Sequence, residues 1–148
     1  MNINGWQIYY FKPFAKAIDE LEADVTQLAA QDPQGYISHP KTKLLASLYD
    51  AITRRVPSNP KDKAFELGKT LGTSYKHWRR VKKGIPDRYR LFFRFATTPN
   101  PLIVFVWLND EYTLRKAGSK TDVYEAFRRK LARGEVPGSI HSLLKESL

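Results

Sequence analysis

The chain reads as an α+β fold, on three features of its 148 residues. Phe14, Ile18, Leu21, Val25 and Leu28 recur at steps of four and three, which is one face of a helix, and Leu44, Leu45, Leu48, Ala51 and Ile52 make a second such stripe. Residues 78–108 then change period, with two alternating segments and one continuous apolar run. Helical spacing returns with Val123, Ala126, Phe127 and Leu131. The expected architecture is an antiparallel-rich four-stranded sheet with an N-terminal helical hairpin on one face and C-terminal helices, in one domain spanning residues 1–148.

In chain order, Trp6 to Phe11 (WQIYYF) is rich in β-formers and predicts the first strand. Pro13 suits the first turn of the helix that follows, and Asp32-Pro33 ends it. Pro40 opens a second helix, with Ser38 or His39 near its cap, and Pro57 and Asn59-Pro60 close it. Residues 57–76 are irregular. Gly68-Lys69-Thr70 is not a phosphate loop, because Lys63 stands where that motif needs its first glycine. Two strands follow around the turn Gly84-Ile85-Pro86-Asp87, and Leu102 to Leu108 (LIVFVWL) reads as a central strand. Asn109 or Asp110 is expected to cap a short helix to Arg115. Thr121 or Asp122 is expected to cap a longer one to Arg133, and Ile140, Leu143 and Leu144 predict a last helical turn or two.

Composition narrows the function. There is no cysteine, hence no disulfide, thiolate nucleophile or cysteine metal site. The first residues lack the pattern of a secretory signal, nothing approaches a membrane span, and a cytoplasmic protein is expected. The formal charge is +10, unevenly placed. Residues 1–38 hold two lysines against five acids, so the remainder is strongly cationic. That imbalance points to a polyanionic partner, nucleic acid first.

The cations concentrate between Lys76 and Arg94, where eight basic residues meet one acid, Asp87. Residues i and i+2 of a strand share a face. Trp78, Arg80 and Lys82 therefore point one way, as do Arg88, Arg90, Phe92 and Arg94 on the next strand. Val81, Leu91 and Phe93 point to the core. With helices on one side of the sheet, the opposite side is expected to stay open as a cationic plate with two rings on it. Arginine forks match phosphate oxygens, and Trp78 and Phe92 are candidates to stack on bases. Metal-free RNA cleavage needs a deprotonated 2′-hydroxyl, a stabilised pentacovalent phosphate and a protonated 5′-oxygen. Fixed cations meet the second need, and lysine or tyrosine can move a proton. No histidine or carboxylate cluster has ligand spacing, so neither metal nor other cofactor is expected. His77 is the histidine nearest the plate, but its parity sets it on the other face.

Trp78-Arg79-Arg80-Val81-Lys82, Arg88-Tyr89-Arg90-Leu91-Phe92-Phe93-Arg94, Trp107-Leu108-Asn109-Asp110-Glu111-Tyr112-Thr113-Leu114-Arg115 and Gly118-Ser119-Lys120-Thr121-Asp122-Val123-Tyr124 resemble the YhaV toxins. Asn4-Gly5-Trp6, Lys43-Leu44-Leu45-Ala46, Asn59-Pro60 and Ala64-Phe65 with Gly68-Lys69 and Leu71-Gly72 extend the resemblance over nearly the whole chain. It implies the RelE/ParE-like toxin fold, a bacterial type II toxin–antitoxin system, and endoribonuclease activity on mRNA at the ribosome. It also implies a PrlF-type, AbrB-like antitoxin that represses operator DNA together with the toxin. By position it makes Arg80, Lys82, Arg90 and Tyr124 the catalytic candidates, with Trp78, Arg88, Phe92, Arg94, Arg115 and Lys120 as RNA-binding candidates. Either Arg115 or Lys120 stands for the basic residue beside the tyrosine. RelE-type toxins are shorter and lack the insert around Asn109 to Gly118. Two alternatives fit the same features: a non-catalytic RNA- or ribosome-binding inhibitor, and a ParE-like gyrase poison.

Overall fold

Five strands, not four, form one mixed sheet in the computed structural model, which describes residues 1–148 except the Thr73 side chain. They are β1 (Asn2–Ile3), β2 (Trp6–Tyr10), β3 (Arg79–Val81), β4 (Leu91–Ala96) and β5 (Leu102–Leu108), in the spatial order β1-β2-β5-β4-β3. The additional strand is β1. Asn4 and Gly5 both have positive φ (52° and 84°), the backbone of a tight Asn-Gly hairpin turn, so a two-residue strand folds back on β2. It is too short to show a period of two. β2 lies parallel to β5, and the β3–β4 and β4–β5 pairs are antiparallel. Glu66 bridges to Arg79 beyond β3, and past the short β1 Leu148 exchanges two backbone hydrogen bonds with Tyr10 of β2 (2.9 and 2.7 Å).

The helical hairpin forms as the periodicity predicts. Helix α1 (Lys12–Gln31) has Pro13 in its first turn and buries Phe14, Ala15 and Ile18. Helix α2 (Pro40–Asp50) is capped by His39, whose Nδ1 accepts the Lys41 amide at 3.1 Å. It runs through a π-helical turn (Ala51–Arg55) into the single turn α3 (Val56–Ser58). A widened turn ahead of Pro57 relieves the clash of its ring with the preceding carbonyls. Leu48, Ala51, Ile52 and Val56 are fully buried.

The opposite face of the sheet is not open. Helix α4 (Val123–Ala132) lies on it, and Phe127 stacks on Phe92 with ring centres 4.1 Å apart. Trp107 stacks on Phe127 at 5.6 Å, and Trp78 meets it edge-on at 5.0 Å. The strand parity therefore holds, while its cover differs from the expectation. A β-bulge explains how β5 serves both faces. Phe92 pairs with Trp107 and Phe93 with Phe105, leaving Val106 as the extra residue. The extra residue shifts the alternation. Phe105 packs on Phe14 of α1, and Trp107 packs under α4. The short helix expected over residues 109–115 does not form; those residues make turns. The chain ends in α5 (Ile140–Lys145), which buries Leu143.

Candidate functional site

The basic strands are shorter than their sequence pattern. β3 stops at Val81, leaving Lys82 exposed beyond it. Arg88 has φ 69°, a left-handed backbone that interrupts extended structure before β4. Asn109, 2% exposed, fastens this irregular stretch. Its Oδ1 accepts the Arg90 amide at 2.8 Å, and its Nδ2 donates to the carbonyls of Arg88 (3.0 Å) and Thr113 (2.9 Å). The Arg115 amide also donates to the Arg88 carbonyl, at 2.9 Å. The 109–115 segment is thereby tied to the strand that carries Arg90.

Asp122 does the corresponding work at the start of α4. Its Oδ2 caps the helix by accepting the Tyr124 amide at 3.0 Å. Its Oδ1 accepts the Lys116 amide at 2.6 Å and Nη1 of Arg115 at 3.0 Å. Burial works to raise this carboxyl's pKa. The hydrogen bonds from Lys116, Arg115 and Tyr124, with the charge of Arg115, outweigh it and hold the group below its ordinary value.

These two anchors converge on Tyr124. Its hydroxyl oxygen accepts Nε–H of Arg80 at 3.0 Å and Nε–H of Arg90 at 3.1 Å. The Arg115 guanidinium lies over its ring, 4.8 Å from the centre. Arg80 also donates Nη1 to the carbonyls of Ala64 (3.1 Å) and Glu66 (2.6 Å), and Arg90 donates Nη1 to its neighbour Tyr89 (2.7 Å). Arg90 is only 6% exposed. Among the described residues no carboxylate lies within ion-pair distance of Arg80 or Arg90. A buried guanidinium without a counter-charge is costly, and an anion seated beside it removes that cost. A hydroxyl has two lone pairs and one proton. With both lone pairs of Tyr124 engaged by arginine, its proton is what it has left to offer.

Cavities open on either side of Arg115. One, of about 480 Å³, has Lys82, Arg88, Arg90 and Arg115 in its walls. The other, of about 380 Å³, has Arg115, Lys120 and Tyr124 in its walls. Seven of the ten residues nominated from sequence are therefore gathered here: Arg80, Lys82, Arg88, Arg90, Arg115, Lys120 and Tyr124. Three are not. Trp78 and Phe92 are 2% and 0% exposed, so neither has a free face for a base. They have become the floor under α4. Arg94 donates to the Gly138 carbonyl and lies over the Trp78 ring, and burial pushes its pKa down. It belongs to the packing beside Trp78. The sequence does not disclose the role of Asn109 or the second task of Asp122. Both stood out only as possible caps, and the contacts that give them other work come from far along the chain. Among the described residues no three histidine or acidic side chains are grouped to hold a metal ion, and no helix is long and apolar enough to cross a membrane.

The family model for YhaV toxins, described as toxins with endonuclease activity of toxin–antitoxin systems, matches residues 8–148. The toxin YhaV of Escherichia coli O6:H1 strain CFT073 is 42% identical over 146 residues, covering 98% of this chain and 94% of that protein. The ribonuclease toxin YhaV of Escherichia coli K12 is 41% identical over the same coverage. No solved structure matches the chain. With a family match over almost its full length, around a tyrosine held by two arginines, the chain belongs to the YhaV family of endonuclease toxins.

Proposed function

We propose that this toxin cleaves mRNA on the ribosome, with the Tyr124 cluster as its reacting centre. The buried Arg90, paired with a tyrosine hydroxyl and with no carboxylate, carries the reading. It is supported by the K12 relative, a ribonuclease toxin. A scissile phosphate beside Arg115 would meet the guanidinium groups of Arg80, Arg90 and Arg115. In the reaction the 2′-hydroxyl loses its proton and its oxygen attacks phosphorus. Negative charge builds on the non-bridging oxygens and the bond to the 5′-oxygen breaks. The arginines oppose the growing charge from fixed positions, and such preorganisation is a large contribution to catalysis. Tyr124 gives its proton to the departing 5′-oxygen. Lys82, on the wall of the adjoining cavity, is the candidate to accept the 2′-proton. The products are a 2′,3′-cyclic phosphate and a 5′-hydroxyl. Arg80 is also a positioning residue, since its Nε holds Tyr124 and its Nη1 is bound to the Ala64 and Glu66 carbonyls.

A toxin of a toxin–antitoxin system has an antitoxin partner. A PrlF-type, AbrB-like antitoxin, with operator DNA bound through the joint complex, is part of this proposal. So is a RelE/ParE-like fold for the sheet and helical hairpin. The decisive measurement uses purified protein with end-labelled mRNA, both naked and engaged on ribosomes. New 5′-hydroxyl ends are expected in at least one arm. Translation blocked with mRNA intact in both arms would leave a binding inhibitor instead.

A further inference from the structure

The two cavities that meet at Arg115 differ in charge. The first has Lys82, Lys83, Arg88, Arg90 and Arg115 in its wall against one acid, Asp87. The second has three cations, Arg115, Lys120 and Arg129, against two acids, Asp122 and Glu125. The first suits phosphates. In the second, the Asp122 oxygens are already taken by three donors. Glu125 is different: its Oε1 accepts Arg128 at 2.6 Å, and its Oε2 has no partner among the described residues. A carboxylate in a cavity wall repels a phosphate and attracts N–H donors. At about 380 Å³ the cavity is within the usual range for small-ligand sites, ~300–1,000 Å³.

We infer that this second cavity is a nucleobase subsite next to the scissile phosphate, in which Glu125 reads a guanine edge. Guanine presents two adjacent donors, N1–H and N2–H, of which one meets the unpartnered Oε2 and the other shares Oε1 with Arg128 through its second lone pair. Adenine and cytosine present an amino group beside an acceptor nitrogen, and uracil presents one N–H between two carbonyls. Glu125 and Tyr124 are consecutive on α4, so the same turn of helix that presents the tyrosine presents the reader. Lys120 and Arg115 at the rim neutralise the phosphates on either side of the base. Glu125 is a specificity residue in this scheme and takes no part in the proton transfers.

The inference rests on the proposed cleavage centre, so its test is made independent of cleavage. Purified full-length protein is titrated with GMP and with UMP by calorimetry, as wild type, Glu125→Gln and Glu135→Gln. A bidentate base contact discriminates against the wrong base, and the part-exposed position of Glu125 moderates the effect to a GMP preference of roughly fivefold or more. The preference is expected to vanish in Glu125→Gln and to survive in Glu135→Gln, whose side chain pairs with Lys130 away from the cavity. Failure to bind GMP, equal affinities in the wild type, or a preference retained by Glu125→Gln would overturn the assignment. A Glu125-dependent GMP preference in a protein that leaves RNA intact would support the subsite and remove the cleavage reading.

Discussion

On the helical-hairpin face of the sheet, Phe93 and Phe105 meet Phe65 and Phe14, with only ring edges and aliphatic carbon between them. On the α4 face, Phe92, Phe127 and Trp107 stack as tightly, but the stack runs out into Tyr124 and three arginines. The same alternating strand, β4, supplies both faces. One side needs nothing beyond hydrocarbon. The other uses hydrocarbon as a rigid floor for the Tyr124 hydroxyl that two arginines hold. A stacked floor suits that purpose, because aromatic rings leave a helix little freedom to slide. The two faces should therefore respond differently to substitution: loss of stability on one, loss of chemistry on the other.

The largest separation is expected from Tyr124→Phe. The ring stays under Arg115 and against Phe92, while the hydroxyl and its proton are removed. Loss of a positioned acid typically costs ~10²–10⁴-fold in rate. The fall should be in kcat, with KM little changed. Two arginine Nε–H groups lose their acceptor, so a smaller destabilisation of about 1–3 kcal/mol accompanies it. Cleavage kinetics on the wild-type substrate decide the matter: a rate within tenfold of wild type would show that the proton comes from elsewhere.

The mirror experiment is Leu48→Ala, on the helical-hairpin side. Leu48 is fully buried. Deleting its isobutyl end costs about 2–5 kcal/mol, depending on how far the cavity collapses. Urea unfolding should show that loss with an unchanged slope, and the specific activity of the folded fraction should stay near wild type. An equal fall in kcat would mean that α2 also positions the site, and the division between faces would fail.

The faces were legible in the sequence because strand alternation has a period of two and a strong contrast between arginine and leucine. Trp78 and Arg80 do share a side with Arg90, Phe92 and Arg94, opposite Phe93. What covers that side was not legible. The apolar stripe with Phe127 on α4 demands burial but does not say where. Trp78 and Phe92 look the same in sequence whether they stack on a base or on Phe127. The bulge at Val106 leaves no mark on an all-apolar run, so the opposed directions of Phe105 and Trp107 were hidden. Arg94 follows the right alternation and still misses the site, because strand parity fixes a side and not a position along the strand. The ties made by Asn109 and Asp122 are long-range hydrogen bonds, and no local pattern records them.

The smallest effect expected is that of Asp122→Asn, and its pH dependence gives it a sharp form. Asparagine is also a good helix cap, so the bond to the Tyr124 amide can persist. What is lost is the charge facing Arg115 and one acceptor oxygen, because the side-chain NH2 then faces two donors, the Lys116 N–H and Arg115 Nη1. A buried donor left without its acceptor costs about 1–3 kcal/mol, and that is the loss of stability expected at neutral pH. The Asp122 carboxyl is held below its ordinary value of 3.8 in the folded protein. Above that value it is ionised both folded and unfolded, so the wild type keeps its full advantage over the variant from about pH 5 upward. As pH falls below 3.8 the unfolded chain takes up the proton first. The advantage then shrinks, and it is gone once the folded carboxyl has titrated too. Thermal unfolding of the two proteins across this range should give parallel curves that converge in acid. Parallel curves that never converge would mean that Asp122 acts only as a neutral cap, leaving the Arg115 guanidinium over Tyr124 to be held by the ring alone.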